Sequence, residues 1–349
     1  MALVQQHPAL NRPERPACSI CVANYNGVDL LGDCLDSIFS QKCDFTFEVI
    51  VHDDASPDAS VKFLRERYPQ VEVLASEENV GFCIGNNRMV AHARGEYILL
   101  LNNDAALFPD ALAALMSDAR QRSPQGLSTL PQHDWETGTL VDRGCLLDPF
   151  YNPVPNVDPR RADVAMAIGA CLFLPRTIWN ALGGFPEWFE SIGEDLYLCC
   201  LARLHGIDVR VVPASAYRHR QGASFGGNRV VSGKLQTTFR RRRLSERNKT
   251  SVLVICTPTA LVWFLLLLHI TMLASEGLAM TVLGWNRMPW REIYGPAIRH
   301  ACAARTTLGK RREQVQRERR TSLRRYLRGF VWLPRKLHLL LRHGLPVIR

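Results

Sequence analysis

The feature that most constrains the fold is an alternation of short apolar runs with helical periodicity over residues 1–130. The apolar runs predict strands at 18–23, 47–51, 71–75 and 97–101. Apolar residues that recur every three or four positions predict helices at 28–39, 58–68 and 86–93, and Pro109 opens another. Strands that are apolar on both faces and alternate with helices indicate an α/β fold, a mostly parallel sheet flanked by helices.

The charge is divided unevenly along the chain. Residues 285–349 hold 17 Lys and Arg against 3 Asp and Glu, a net charge of +14. Residues 1–284 hold 26 against 30, a net charge of −4, so an acidic body precedes a basic tail. The negative net charge of the body therefore argues against a nucleic-acid-binding function for it. An apolar content of 47% excludes a disordered or fibrous chain.

The cysteines and the N-terminus bear on the compartment. Cys18 and Cys21 form a C-x-x-C spacing, but residues three apart on a strand point to opposite faces. We therefore expect the 11 cysteines to be mostly buried free thiols in a reducing compartment. The first residues lack the apolar core of a signal peptide, which predicts a cytoplasmic body.

Polar segments follow three of the predicted strands directly. They are Asn24-Tyr25-Asn26-Gly27, His52-Asp53-Asp54-Ala55-Ser56 and Asn102-Asn103-Asp104. Each segment alone is compatible with turn chemistry, because Asn, Asp and Gly favour turns. Ligands bind beyond the carboxyl ends of parallel strands, so the three segments together predict a binding crevice.

The residue types in this crevice suit a nucleotide. No P-loop is present, and the glycines between Asn79 and Arg88 do not have the G-x-G-x-x-G spacing. Asp53 can accept a hydrogen bond from a pyrimidine N3–H. Asp104 can hold a hard divalent cation that also takes phosphate oxygens. Arg88 can contact phosphate, although an exposed Arg at a helix start is common.

The polar segments, together with Asn79-Val80-Gly81-Phe82, resemble in order and spacing the signatures of glycosyltransferase family 2. The branch most similar is the rhamnosyltransferase-like one, and the resemblance covers residues 17–235. It implies a GT-A fold and an inverting, single-displacement transfer from a nucleotide-sugar. The resemblance assigns to the donor Asn24, Asn26, Asp53, Asp54, Asn79, Gly81, Arg88, Asn102 and Asn103.

An acidic pair further along the chain matches the family as well. Glu194 and Asp195 correspond to its acidic pair, which implies that Asp195 is the general base. A carboxylate beside another acid in a partly apolar setting has a raised proton affinity, as a base requires. The alternative is that the pair only caps the following helix, and the two roles are compatible. Trp188 and Phe189 are predicted to stack on the acceptor sugar, with core packing as the alternative.

The resemblance also implies a divalent cation, Mg²⁺ or Mn²⁺, held by Asp104 and His219. Asn102-Asn103-Asp104 offers one carboxylate where acid-rich relatives offer two or three. We therefore expect weak metal binding that depends on the donor diphosphate. His219 lies between two arginines, so a surface position is the alternative.

The sequence predicts four regions with different roles. They are an N-terminal tail at 1–16, a GT-A domain at 17–239, a basic run with apolar membrane-associated helices at 240–285, and a basic helical tail at 286–349. Within the second region, the Pro-, Asp- and Arg-rich stretch 131–162 is predicted to be a long surface loop.

The segment 251–275 carries no charge except the neutral His269 and is long enough to span a bilayer. A single crossing would place the basic tail outside, against the positive-inside tendency. We therefore expect a re-entrant or interfacial helix pair, near 252–274 and 277–285, with its basic flanks on anionic lipid. A single span and a buried soluble helix are the alternatives.

These features predict a membrane-associated inverting glycosyltransferase on the cytoplasmic face of the inner or plasma membrane. Its donor would be a dTDP- or UDP-linked sugar, with rhamnose as a candidate, and its acceptor a hydroxyl of a cell-surface glycan or lipid-linked saccharide. A non-catalytic nucleotide-sugar- or glycan-binding protein on the same fold is the first alternative. A nucleic-acid-binding protein is the second, and the scarcity of aromatic residues in the basic tail disfavours it.

Overall fold

The computed structural model describes residues 3–222, 227–231, 233–303 and 305–348. The strands are β1 (Val4–His7), β2 (Cys18–Asn24), β3 (Phe47–Asp53), β4 (Glu72–Ser76), β5 (Tyr97–Asn102), β6 (Ala105–Leu107), β7 (Leu127–Thr129), β8 (Gln132–Asp134), β9 (Leu140–Asp142), β10 (Cys145–Leu147), β11 (Pro153–Pro155), β12 (Cys171–Pro175), β13 (Val209–Val211), β14 (Tyr217–His219), β15 (Gly227–Val231), β16 (Lys234–Thr237) and β17 (Val347–Ile348). The helices are α1 (Val28–Phe39), α2 (Ser60–Arg67), α3 (Phe82–His92), α4 (Ala111–Gln121), α5 (Arg176–Leu182), α6 (Glu194–Leu204), α7 (Phe239–Cys256), α8 (Val262–Leu283), α9 (Gly295–Ala303), α10 (Arg305–Arg317), α11 (Leu323–Tyr326) and α12 (Arg335–His343).

The largest sheet has the strand order β1-β4-β3-β2-β5-β12-β7-β13. Its four central strands β4, β3, β2 and β5 are parallel, as the sequence predicts. The edge strand β1 and the inserted strand β12 run antiparallel to their neighbours, so the sheet as a whole is mixed. The α/β class and the flanking helices are confirmed.

The core lies on both faces of this sheet. In β2, Ile20 and Val22 pack on the side of α1 and α4, whereas Cys21 packs on the side of α3. This alternation follows from the two-residue period of a strand. It also places Cys18 and Cys21 on opposite faces, as predicted, and the described cysteines are free thiols that are mostly buried.

Two regions differ from the predicted organisation. The predicted tail 1–16 contributes β1, which pairs antiparallel with β4 and closes one edge of the sheet. The segment 131–162 is not a surface loop: it contains β8, β9, β10 and β11 and buries Phe150 and Tyr151. Its polar composition is compatible with burial because Asp148 accepts hydrogen bonds from the backbone N–H groups of Phe150 and Asn152.

The predicted helix pair at 252–274 and 277–285 is wrong. Helix α7 includes the basic run and continues to Cys256, and a break around Pro258 separates it from α8. The last five residues of α7 are buried in the core of the α/β body. Arg312 of α10 donates to the carbonyls of Val254 and Thr257 and so caps the C-terminus of α7. The predicted appendage is therefore packed against the α/β body.

A buried network of charges joins α7, α8 and α12. Glu276 of α8 pairs with Arg242 of α7 and with Lys336 of α12 at 2.5 and 2.8 Å. Glu246, one turn after Arg242 in α7, is fully buried and pairs with Lys336 at 2.8 Å. Burial opposes ionisation of Glu246, but Lys249, Lys336 and Arg242 outweigh it and hold the pKa well below its usual range.

Candidate active site

The pairing of the central strands brings the predicted polar segments together. Asn24, the last residue of β2, lies opposite Asp53 of β3. On the other side of β2, Ala23 lies opposite Asn102 of β5. The carboxyl ends of three strands therefore share one edge of the sheet, where the sequence predicts a crevice.

Side-chain hydrogen bonds connect this edge. Asn24 donates through Nδ2 to Asp53 Oδ2 at 2.8 Å and accepts at Oδ1 from Asn103 Nδ2 at 2.7 Å. Ser56 donates from Oγ to the same Asp53 oxygen at 2.7 Å and accepts from the backbone N–H of Asn26. The Asp53 carboxylate is thus buried and fixed in direction, whereas the side chain of Asn26 is exposed.

Gly27 makes this network possible. A Cβ at position 27 would lie 2.2 Å from Asn103 Nδ2 and 2.6 Å from Asn24 Oδ1. Both distances are far below van der Waals contact. Glycine is required here so that the backbone can approach the two amide side chains.

Asp54 and Arg88 line the neighbouring loop. The two carboxylate oxygens of Asp54 accept the backbone N–H groups of Val80 and Gly81 at 2.7 and 2.9 Å, so Asp54 shapes the loop. The Asn79 side chain donates to the carbonyl of Asp54 at 3.3 Å. Arg88 donates to Ser76 Oγ at 2.7 Å, which places its guanidinium at the end of β4.

Asp104 and His219 are brought into contact by the pairing of β6 with β14. His219 Nε2 lies 3.0 Å from Asp104 Oδ1, and its Nδ1 lies 3.2 Å from Gln132 Oε1. Asp104 and His219 are 3% and 8% exposed, so the surface alternative for His219 is wrong. Within the described residues, no group of three or more His, Cys, Asp and Glu side chains could hold a metal ion.

The acidic pair lies at the same edge, at the start of α6. Asp195 Oδ2 accepts the backbone N–H of Gly169 at 2.9 Å, two residues before β12, and Oδ1 accepts that of Leu196 at 2.7 Å. Glu194 is 6% exposed, and its Oε2 has no hydrogen-bond partner among the described residues. The hydrogen bond from Leu196 caps the start of α6, as the helix-capping alternative predicts. The hydrogen bond from Gly169 is additional and ties Asp195 to the segment before β12.

Burial sets the proton affinity of this pair. Burial and the neighbouring Asp195 raise the pKa of Glu194 from 4.5 to about 8. Burial also raises the pKa of Asp195, against the N–H groups of Gly169 and Leu196, which favour its ionised form. The charge of Arg241, on the first turn of α7, acts on both carboxylates.

The predicted aromatic platform is not formed as expected. Phe189 is fully buried and packs edge to face against Trp188, with ring centroids 4.4 Å apart. It is core and cannot reach a sugar. Trp188 is partly exposed, and the guanidinium of Arg311 lies 4.8 Å from its ring centroid.

The family is decided by the extent of two sequence matches. Residues 19–152 match Glycosyl transferase family 2, and residues 97–345 match Glycosyl transferase family group 2. The chain belongs to glycosyltransferase family 2. The second match reaches beyond residue 235 and includes the helices that follow the α/β body.

This family 2 chain matches only parts of its curated relatives, which are longer proteins. The chain is 29% identical over 188 residues to a chondroitin synthase of Escherichia coli, which is 52% of this chain and 26% of that protein. It is 26% identical over 227 residues to the O-antigen biosynthesis protein RfbC of Myxococcus xanthus, 60% of this chain and 18% of that protein. The chain thus spans about a quarter or less of the length of these two relatives.

Solved structures confirm the GT-A fold. The structure of GalNAc-T7 with UDP, GalNAc and Mn²⁺ superposes with a TM-score of 0.59 at 13% identity, over 95% of this chain and 58% of that one. The S. aureus TarS 1-349 structure gives a TM-score of 0.51 at 17% identity, over 89% of this chain and 91% of that one. At these identities the likeness concerns the fold alone.

Sequence reasoning missed three residues of this family 2 site. Ser56, predicted only as part of a polar segment, fixes the Asp53 carboxylate by donating to it. Gln132, in the segment predicted to be a loop, faces His219. Arg241 belongs to the basic run, and no signal in the sequence distinguishes it from its neighbours.

Replacing Gly27 by alanine should disrupt the polar edge. We expect Gly27→Ala to lower the melting temperature, because its Cβ would displace the amides of Asn24 and Asn103. The matched control is Gly32→Ala in α1, where the nearest atom would be Phe63 Cζ at 3.8 Å. That substitution should be neutral or stabilising, by up to about 1 kcal/mol, since alanine favours helix. Thermal denaturation of both variants tests this, and equal melting temperatures would contradict it.

The raised pKa of Glu194 predicts a pH dependence of stability. A carboxyl group whose pKa is higher in the folded protein stabilises the fold below pH 4.5 and loses that contribution as the pH rises to about 8. The melting temperature of Glu194→Gln should therefore fall less than that of the wild type between pH 5 and pH 8. The exposed Glu66→Gln serves as control and should follow the wild type. Parallel curves for the wild type and Glu194→Gln would contradict the prediction.

Proposed function

We propose that the chain is an inverting glycosyltransferase that moves a sugar from a UDP- or dTDP-linked donor to a hydroxyl group. The acceptor would be a cell-surface glycan or a lipid-linked saccharide, in keeping with the names of the curated relatives. The observation that carries the proposal is the shared edge: Asp195 bonds Gly169 beside β12, and β12 pairs with β5, which leads into Asp104. The proposed base would therefore be adjacent to the proposed donor site.

The chemistry of the acidic pair suits a single base. At neutral pH Glu194 retains its proton, because its pKa is about 8. The backbone N–H groups of Gly169 and Leu196 favour the ionised form of Asp195 and orient its carboxylate. Asp195 takes the proton of the acceptor hydroxyl as that oxygen attacks the anomeric carbon, and the nucleoside diphosphate leaves from the opposite side.

The polar edge would hold the donor. The fixed carboxylate of Asp53 would accept the N3–H of uracil or thymine, and Arg88 would contact phosphate. UDP in the GalNAc-T7 structure is consistent with a pyrimidine nucleotide. Rhamnose is retained as a candidate sugar because the polar segments resemble the rhamnosyltransferase-like branch.

Asp104 and His219 fit a divalent cation, Mg²⁺ or Mn²⁺. If His219 Nδ1–H donates to Gln132 Oε1, the lone pair of Nε2 faces Asp104, which is the orientation that a metal ligand needs. When bound, the cation would neutralise the charge of the leaving diphosphate. Two protein ligands leave the remaining positions to phosphate oxygens and water.

A non-catalytic binding protein on this fold is the alternative. The buried acidic pair disfavours it, because an unpartnered carboxyl oxygen in a buried site costs stability. A binding protein would gain nothing from that cost, whereas a general base requires a carboxylate of raised proton affinity.

Substitution of the base tests the proposal. Asp195→Asn should lower turnover by about 10²–10⁴-fold, because the amide cannot accept the proton. Its thermal stabilisation by UDP or dTDP should match the wild type. Glu194→Gln should cost less turnover. Release of UDP or dTDP from the linked sugar measures the rate, and near-normal turnover of Asp195→Asn would remove it from the mechanism.

A membrane is the proposed docking partner of α8. Within the described residues, α8 alone is long and apolar enough to cross a bilayer, and only 22% of its most apolar window is buried. Its outward face carries Phe264, Leu267, Leu278 and Val282, each at least 59% exposed. An apolar face of this extent on a soluble protein marks an interaction site.

The surroundings of this face favour lipid as the occupant. A cavity of about 740 Å³ is lined by Ala274, Leu278, Trp290, Arg287 and Arg291, among others. Two cations beside apolar walls suit an anionic headgroup with its acyl chains. Helix α12, which Lys336 joins to Glu276 of α8, adds the exposed side chains of Leu337, Leu340 and Leu341.

The contacts of α8 favour a position in the plane of the membrane. His269 is fully buried and bonds Thr250 of α7 at 2.8 Å, and burial lowers its pKa to about 3. Glu276 is held by Arg242 and Lys336. A crossing would take these partners, together with α7, out of the α/β body and into hydrocarbon, where unpaired charges are costly.

Charge placed on the outer face of α8 should abolish membrane binding. Leu267→Glu with Leu278→Glu should weaken sedimentation with phosphatidylglycerol vesicles at least about tenfold, since each buried leucine contributes about 1.5–3 kcal/mol. Leu140→Glu with Val157→Glu changes exposed residues elsewhere, 39% and 61% exposed, and should bind as the wild type does. A tag placed after Arg349 provides a second test. If protease added outside sealed cells removes the tag, α8 crosses the membrane.

A further inference from the structure

Helix α7 holds the loop that leads into the acidic pair. The side chain of Asn248 is fully buried, and its Nδ2 lies within hydrogen-bond distance of three carbonyl oxygens of one loop. They belong to Phe189, Ser191 and Ile192, at 3.0, 3.0 and 2.8 Å. One amide group thus binds most of the backbone between the aromatic residues and Glu194.

Arg247 fixes the direction of this amide. Its Nε donates to Asn248 Oδ1 at 2.9 Å, and since a guanidinium can only donate, the atom that it meets must be the oxygen. Nδ2 therefore faces the loop. Arg247 also donates to the Phe189 carbonyl at 2.9 Å and pairs with Glu190 at 2.8 Å.

The loop needs support from outside because its backbone is strained. Glu190, Ile192 and Gly193 have φ values of 64°, 67° and 92°. Positive φ is rare for residues with a side chain, and for a β-branched residue such as Ile192 it is an outlier. Such conformations persist only where the surroundings hold them. Asn248 binds the carbonyl of Ile192 itself.

The position of Asn248 in α7 is otherwise unfavourable. Asparagine is a poor residue for a helix interior, because its side chain competes for backbone hydrogen bonds. Here the side chain points away from its own helix and serves another segment. Helix α7 is a fixed support for it, since Arg312 caps its C-terminus and Arg242 ties its first turns to Glu276.

We propose that Asn248 and Arg247 are positioning residues, which hold the loop 188–193 so that Asp195 is presented to the acceptor. Neither residue acts on the proton. The inference rests on the proposed role of Asp195 as base. A displacement of about 1 Å at a reacting group lowers turnover by about 10²-fold, so loss of this support has a measurable effect.

The test compares Asn248→Ala with Asn156→Ala. Asn156 is 3% exposed and also donates to two carbonyls, those of Arg143 and Arg161, so its loss is a matched structural lesion away from the acidic pair. Asn248→Ala should raise hydrogen exchange at residues 188–196 and lower turnover by about 10–100-fold, with the KM for the UDP- or dTDP-linked sugar changed less than about threefold. Asn156→Ala should leave both quantities near the wild-type values.

Two further variants test the same contacts if Asn248→Ala does not fold. Asn248→Asp keeps the shape but turns an acceptor toward the carbonyls, and Arg247→Met removes the donors of a side chain that is 21% exposed. Both should raise exchange at 188–196. Wild-type exchange and turnover in these variants, or equal effects from Asn156→Ala, would overturn the inference. If Asp195→Asn is inactive while Asn248→Ala is fully active, the positioning role alone fails; an active Asp195→Asn overturns the proposed function.

Discussion

The pairing of β2 with β3 on one side and β5 on the other is the constraint on which the rest of the structure depends. It places Asn24, Asp53 and Asn102 side by side at one edge. The antiparallel pairing of β12 with β5 then brings Gly169, and through it Asp195, to the same edge. Each later part of the site is attached to this row of strand ends, because parallel strands align their carboxyl termini.

Helix α7 connects that edge to the remaining helices. Residues in its first turns contact two different regions. Arg241 lies near the acidic pair, and Arg242 pairs with Glu276 of α8. Its middle holds the loop before Glu194, and its end is capped by Arg312. Arg241, Arg242 and Arg247 of the basic run therefore make contacts within the protein, whereas Arg240 is exposed.

Two buried glutamates show how partners decide the state of a carboxyl group. Glu246 is surrounded by Lys249, Lys336 and Arg242, which hold its pKa low. Glu194 is also buried, but it lies beside the carboxylate of Asp195, and its pKa is raised to about 8 although the charge of Arg241 opposes the shift. The first arrangement joins helices together. The second favours the protonated form of Glu194 beside Asp195, the proposed base.

The sequence by itself determined the central strands, the helices between them and the polar segments at their ends, because two-residue and helical periodicities are local properties. It also indicated the family and the acidic pair. Only the tertiary structure decided that Phe189 is core, that β1 closes the sheet and that 131–162 is folded. The partners of Gln132, Arg241 and Asn248 are decided there too. Each depends on a partner distant along the chain, and local composition carries no information about which distant group a side chain will meet.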